Sequence, residues 1–205
     1  THPKMNKSRA VFLDRDGVLN RLVCQRRTGI IDSPFTARQF ELLPGAGAAV
    51  KRLNKLGLKT VVVSNQPGIA KGNFTAAVLD AKTRKLERAL GRQGARLDGI
   101  YYCLHHPQAA SPKYRKRCRC RKPKPGLLQL AARALDVDLR RSFMVGDNLT
   151  DVEAGKSAGC TTIFIGDWKC DWCRFMKAKN RTPDHIVPDL PAASRLISKI
   201  VAGTV

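Results

Sequence analysis

The chain has 205 residues, 43% of them hydrophobic, a length that suits one domain with a substantial core. No stretch reaches the roughly 18 uninterrupted apolar residues that a membrane span needs, which argues against a membrane protein. Thirty-eight Lys and Arg against 16 Asp and Glu give a net charge of +22 and favour anionic partners, either nucleic acid or phosphorylated metabolites. Residues 1–8 read as a polar tail without the apolar core of a secretion signal. We therefore expect a cytoplasmic monomer, with residues 1–205 forming a single domain.

Short apolar runs alternate with helical patterns along the chain. The runs are rich in Val, Ile, Phe and Tyr, which is typical of strands buried on both faces of a parallel sheet; they cover 9–14, 58–65, 99–105, 142–147 and 161–166. Helical spacing and capping residues predict helices at 45–57, 75–94, 125–137, 150–159 and 190–201. This alternation predicts an α/β fold, a three-layer Rossmann-like parallel sheet. Neither interruption, at 20–44 and at 104–124, is long enough for a large cap domain, so both should shape an entrance.

Polar residues terminate the predicted strands. Asp14, Ser64, Cys103 and Asp147 each follow or end an apolar run. In an open parallel sheet the ligand binds beyond the carboxyl ends of the strands, so these residues should share one edge.

The stretch Asp14-Arg15-Asp16-Gly17 admits two interpretations. Polar residues and a glycine can simply end a strand in a turn. Alternatively, Asp14 attacks a phosphate monoester to form an aspartyl-phosphate, while Asp16 protonates the leaving alkoxide and then activates water. Such a site needs a hard cation such as Mg²⁺, for which Asp147 is a further ligand, with Asp151 one helical turn beyond.

Two further segments supply groups that such chemistry needs. Ser64 offers a hydroxyl to phosphoryl oxygens. Lys122, with Arg121 beside it, supplies positive charge just before a predicted helix.

Together these motifs resemble those of the haloacid dehalogenase-like (HAD) phosphatases. Asp14-Arg15-Asp16-Gly17-Val18 is similar to the first motif of that family, Ser64-Asn65 to the second, Lys122 to the third, and Gly146-Asp147 with Asp151 to the fourth. The resemblance implies that Asp14 is the nucleophile and Asp16 the general acid/base. It also implies that Asp14, the Asp16 carbonyl and Asp147 bind Mg²⁺.

A cysteine–histidine pattern lies in the second interruption. Cys103 and His105, followed by Cys118 and Cys120, match a closed tetrahedral structural Zn²⁺ site within residues 103–120. His106 is a rival ligand to His105. Because residues 113–124 are strongly basic, a metal there would pin a loop that otherwise repels itself, and so hold Arg121 and Lys122 over the phosphate site.

This loop resembles the zinc-containing branch of the HAD phosphatases, which acts on D-glycero-D-manno-heptose 1,7-bisphosphate at the 7-phosphate or on histidinol phosphate. The stretch 64–75, the His-His-Pro and the ending Lys-Pro-Lys-Pro-Gly are closer to the heptose enzymes. The resemblance implies substrate contacts from Ser64, Asn65, Gln66, Arg121 and Lys122. It also implies a small phosphorylated sugar as substrate, with catalytic Mg²⁺ and structural Zn²⁺.

The chain departs from that branch at several places. Segment 20–44 is longer and more basic than usual, and its Arg26, Arg27 and Arg38 are candidates for gripping a second phosphate. Asn148 stands where Lys or Arg is common. The pair Cys170 and Cys173 lies outside the family pattern. Three interpretations of it stay open: half of a second metal site, a redox pair or a chance feature.

Three alternatives to the heptose activity stay open. They are histidinol-phosphate phosphatase, polynucleotide 3′-phosphatase, and a zinc-stabilised nucleic-acid-binding module with a degenerate core. The charge of +22 favours nucleic acid, but the basic run holds only Tyr114 as a stacking aromatic, and the catalytic aspartates are intact, so we do not favour this partner.

Overall fold

The computed structural model describes residues 7–26, 28–166 and 182–204. Its main sheet has six parallel strands in the order β5-β4-β1-β6-β7-β8, and a separate antiparallel hairpin pairs β2 with β3. The strands are β1 (Ala10–Leu13), β2 (Val23–Gln25), β3 (Ile30–Asp32), β4 (Lys59–Asn65), β5 (Gly99–Cys103), β6 (Phe143–Gly146), β7 (Thr161–Ile165) and β8 (His185–Val187). The predicted α/β fold with a parallel sheet is confirmed.

Five α-helices of the described part connect these strands. They are α1 (Ala46–Lys55), α2 (Ala76–Gly91), α3 (Gly126–Ala134), α4 (Leu149–Ala158) and α5 (Leu190–Ala202). Side-chain caps begin three of them, where the side chains of Thr75, Asn148 and Asp189 accept from the backbone amides of Val78, Thr150 and Ala192 respectively. None of the described helices combines the length and the apolar character needed to cross a membrane.

Alternate residues of β1 face two hydrophobic cores. Val11 and Leu13 pack in a core that includes residues of α1, α2 and α5, whereas Ala10 and Phe12 pack in a second core with residues of α3 and α4. The sheet is therefore covered by helices on both faces, which is why its strands read as continuous apolar runs.

Three strands were not predicted. Each of β2, β3 and β8 has only three residues, too few for a period-two pattern to be visible. The hairpin also carries apolar side chains outward, with Ile30 58% and Ile31 68% exposed. It occupies the 20–44 segment after β1, and within the described ranges no larger insertion separates the strands.

Candidate active site

The carboxyl ends of β1, β4 and β6 open into one cleft of about 510 Å³, a volume usual for a small-molecule site. Asp14 follows β1, Ser64 lies near the end of β4, and Asp147 follows β6; all three line the cleft. The structure thus brings three of the four polar residues that were predicted to share an edge into this cleft. Cys103 ends β5 and belongs to a neighbouring cysteine cluster.

Lys122 connects the carboxylates at the base of the cleft. Its Nζ lies 2.9 Å from Oδ1 of Asp14 and 2.5 Å from Oδ1 of Asp151, and it donates to the Val63 carbonyl at 2.8 Å. The ammonium group thus forms ion pairs with two carboxylates and one hydrogen bond to the backbone of β4. The oxygens of Asp14, Asp147 and Asp151 lie within 4.8 Å of one another, close enough to share one metal ion.

Close packing of these charges shifts their pKa values. Burial and then the nearby Asp14 and Asp151 raise the pKa of Asp147 to about 8. Burial raises the pKa of Asp151 to about 6, against the lowering effect of Lys122. Burial alone would lower the pKa of Lys122, but the carboxylates of Asp14 and Asp151 outweigh it and raise it, so this ammonium stays charged. A raised carboxyl pKa beside two other carboxylates indicates a site suited to a cation.

Gly17 allows the first motif to approach Asp147. Its φ of +82° lies in the left-handed region, and a Cβ there would come within 1.9 Å of the Asp147 carboxylate. A side chain at this position would therefore displace Asp147 from the cluster.

Asp16 is held by a network of donors. Arg15 Nη2 lies 3.1 and 3.0 Å from the two Asp16 oxygens and 2.8 Å from Gln66 Oε1. The Asn20 amide donates to Asp16 at 2.9 Å, and the Gln66 amide donates to the other oxygen. The Asp16 side chain therefore has a fixed orientation at the cleft and lies outside the Asp14 carboxylate cluster.

The end of β4 joins the second motif to the third. The Asn65 side chain donates to the Lys122 carbonyl at 3.0 Å and accepts from the Lys122 amide at 3.1 Å. Ser64 Oγ accepts a 3.2 Å hydrogen bond from Gln66 Nε2. Asn65 thus fixes the backbone that presents Lys122, and its predicted contact with substrate stays a prediction.

The four predicted zinc ligands form one cluster. The sulfur atoms of Cys103, Cys118 and Cys120 are 3.2, 3.3 and 3.5 Å apart, and His105 Nδ1 lies 3.4 Å from the Cys120 sulfur. Ligands around one tetrahedral zinc ion stand about 3.3–3.8 Å apart, so the donor set fits that metal. Burial raises the pKa of the Cys103 thiol, and a thiolate there needs such a cation beside it.

The cysteine cluster is tied to the cleft through Arg121. Arg121 Nη1 donates to the His105 carbonyl at 3.2 Å, and Arg121 itself lines the cleft. His106 takes no part in the cluster; its Nδ1 accepts from the Gln108 amide at 3.1 Å. A metal bound at His105 would therefore fix the position of an arginine at the candidate active site.

The β2–β3 hairpin forms part of the cleft through Leu22, Ile31, Asp32 and Ser33. The 20–44 segment thus shapes the entrance, as expected. Arg26 and Arg38, both in the described part of the chain, do not line the cleft; Arg27 lies outside the described residues, as do Cys170 and Cys173.

The sequence and fold match proteins of known class. The family described as HAD-hydrolase-like matches residues 119–193. A D-glycero-beta-D-manno-heptose-1,7-bisphosphate 7-phosphatase of Photorhabdus laumondii is 42% identical over 193 residues, 93% of this chain and 97% of that protein. This chain is a member of the HAD-like phosphatase family.

Two further relatives support this assignment to the HAD-like phosphatases. The enzyme of the same name from Escherichia coli K12 is 42% identical over 155 residues, 75% of this chain and 76% of that protein. The crystal structure of a D,D-heptose 1,7-bisphosphate phosphatase from B. bronchiseptica, in complex with magnesium and phosphate, superposes with a TM-score of 0.74 at 32% identity. That match covers 94% of this chain and 99% of the other.

Arg15 is the residue of this HAD-like phosphatase site that sequence reasoning missed. Its side chain is fully buried, an environment that arginine rarely occupies without a partner. The only signal was its place between two aspartates directly after a buried strand. Asn20, four residues after Asp16, carried no signal, because its contact depends on how the following turn closes.

Proposed function

We propose that this protein hydrolyses the 7-phosphate of D-glycero-β-D-manno-heptose 1,7-bisphosphate, as a Mg²⁺-dependent phosphomonoesterase acting through an aspartyl-phosphate. The observation that carries the proposal is the contact of the Asp14 carboxylate with Lys122, beside Asp147, at the base of a cleft of suitable size. The relative that covers nearly the whole chain bears the name of this activity.

Asp14 is the proposed nucleophile. Its carboxylate attacks phosphorus, forming an acyl-phosphate bond as the bond from phosphorus to the sugar oxygen breaks. Asp16 gives its proton to the leaving alkoxide, then takes one from the water that hydrolyses the intermediate. The donors around Asp16 support this role, since they hold the side chain in one orientation at the cleft.

The carboxylate cluster fits a magnesium ion. We propose Asp14, Asp147 and the Asp16 carbonyl as its ligands, since Asp151 is paired with Lys122 and accepts from the Asn148 amide. When bound, the ion supplies positive charge that offsets repulsion between the phosphate and the carboxylates. The raised pKa of Asp147 supports this assignment, because a carboxyl group in that position is difficult to ionise without a nearby cation.

Lys122 and Ser64 are the proposed donors to the transferring phosphoryl group. Because Lys122 Nζ is in contact with Asp14, Asp151 and the Val63 carbonyl, a phosphoryl oxygen that reaches it takes the place of one of these contacts. The Asp14 contact is the one that faces the cleft. Lys122 would thus release the nucleophile as it takes up the charge of the substrate.

We propose that the cysteine cluster binds a zinc ion, which has a structural role. Bound there it closes the loop and holds Arg121 through the His105 carbonyl. Thiolate ligands of this kind suit a reducing compartment, which supports the cytoplasm as the proposed location. A monomer remains the proposed state, to be measured by light scattering.

Phosphate release from a substrate panel tests the proposed function. The panel contains heptose 1,7-bisphosphate, histidinol phosphate and a 3′-phosphorylated oligonucleotide, each with and without Mg²⁺. We expect the bisphosphate to have the highest kcat/KM and to depend on Mg²⁺. A higher value for either other substrate contradicts the proposed specificity.

A pair of matched variants tests the nucleophile. Asp14→Asn should abolish turnover, since a neutral amide does not attack phosphorus. Asp136→Asn removes an exposed carboxylate, and the residue's backbone φ of 49° suits asparagine, so this variant should retain activity. Turnover by Asp14→Asn would reject Asp14 as the nucleophile.

A further inference from the structure

Of the residues that the structure describes, three with cationic side chains line the cleft, and they differ in their partners. Lys122 is paired with Asp14 and Asp151. Lys71 and Arg121 also line the cleft, and within the described residues neither has a carboxylate within 4.0 Å. Two positive charges of the cleft are therefore available to an anionic ligand.

Lys71 lies in a hydrogen-bonded turn formed by residues 67–73. The Lys71 amide donates to the Pro67 carbonyl at 2.9 Å, and the Asn73 amide donates to the Gly68 carbonyl at 2.8 Å. The carbonyl of the buried Ala70 accepts a 3.1 Å hydrogen bond from the Ala110 amide, which belongs to the loop 104–124 between β5 and α3. The backbone that carries Lys71 is thus joined to the loop that carries Arg121, while the Lys71 side chain is exposed to the cleft.

A bisphosphate brings two highly charged groups into this cleft, and only one of them reacts. The reacting phosphate must lie at Asp14 and Lys122, at the base. The second phosphate needs cationic donors farther out, because an anion of this charge is costly to desolvate unpaired. Asp32 also lines the cleft and repels an anion, so Lys71 and Arg121 are the lining groups that attract the second phosphate.

We propose that Lys71 binds the phosphate that is not hydrolysed, and so sets the preference for a bisphosphate over a monophosphate. This inference rests on the proposed function. Arg121 was already predicted to contact substrate, and its tie to the His105 carbonyl places it next to Lys122. Lys71 completes a pair of cations for the distal phosphate group.

The test compares two substrates, heptose 1,7-bisphosphate and heptose 7-phosphate, which lacks the distal group. The measured quantity is kcat/KM for the bisphosphate divided by kcat/KM for the 7-phosphate. We expect Lys71→Met to lower this ratio about 10- to 100-fold, mainly by raising KM for the bisphosphate. Lys71→Arg should restore most of the ratio, because it keeps the charge. Lys113→Met is the matched control, since this lysine is exposed on the basic loop that carries Arg121 and does not line the cleft; it should leave the ratio unchanged.

The outcomes separate this inference from the proposed function. An equal loss for both substrates in Lys71→Met, or an equal effect of Lys113→Met, overturns the role of Lys71 while leaving the phosphatase activity in place. An unchanged ratio in Lys71→Met overturns it as well. If the wild-type protein fails to hydrolyse the bisphosphate, the proposed function is wrong and this inference fails with it.

Discussion

Replacement of Arg15 by methionine should destabilise the protein through the loss of a buried ion pair. The Arg15 side chain is 0% exposed and the Asp16 side chain 12% exposed, with Nη2 at 3.0 Å from the carboxylate. Removing one partner of a buried pair costs about 3–5 kcal/mol. Since Asn20 and Gln66 still donate to Asp16, we expect a loss at the lower end of that range, about 3 kcal/mol of unfolding free energy.

A double-mutant cycle isolates the pair. Urea denaturation of the wild type, Arg15→Met, Asp16→Asn and the double variant should give a coupling energy of about 1.5–3 kcal/mol, as for a hydrogen bond to a charged group. The exposed pair Arg21 and Glu41, 4.0 Å apart, is the control and should couple by less than about 0.5 kcal/mol. A coupling no larger than that of the control would refute the role of Arg15 as the support of Asp16.

Three other predictions concern pH, metal and backbone. Burial and then the charge of Arg15 lower the pKa of Lys82 to about 7 in the folded protein. Between pH 7 and the ordinary lysine pKa of about 10, the unfolded chain therefore binds more protons than the folded protein. The unfolding free energy of the wild type, relative to that of Lys82→Met, should rise with pH over this range. The protein should hold about one zinc ion per chain, and Cys118→Ser should lose it and raise KM. Gly17→Ala should raise the Mg²⁺ concentration needed for activity and lower kcat/KM about 10- to 100-fold, by displacing the Asp147 carboxylate.

Each of these has a matched comparison. A wild-type stability that falls relative to Lys82→Met over that pH range would contradict the lowered pKa. Cys24→Ser changes an exposed cysteine outside the cluster and should keep the zinc, as measured by elemental analysis. Gly29→Ala has a similar φ of +67° but open space around the added Cβ, so it should affect stability without changing the Mg²⁺ requirement; equal effects from both glycines would reject the proposed clash.

The strand and helix pattern was available from the sequence because it is local. The run before Asp14 and the run ending at Ser64 are apolar throughout, since both faces of those strands are buried. The rule that ligands bind at the carboxyl ends of parallel strands then placed Asp14, Ser64 and Asp147 together before any coordinates were known. The zinc ligands were predictable for the same reason, since two close pairs of residues carry the pattern.

The tertiary structure decided how those residues use their polar groups. Lys122 forms ion pairs with Asp14 and Asp151 and donates to a carbonyl of β4, and Asn65 turns its amide to the Lys122 backbone. Arg15 lies between two aspartates in the sequence and is completely buried in the fold. Such contacts join residues that are far apart in the chain, from 29 positions for Lys122 and Asp151 to 108 for Asp14 and Lys122. No local pattern encodes which of several donors an acceptor will meet. Composition and periodicity specify which elements form, whereas the partners of a buried charge depend on the packing of all the elements around it.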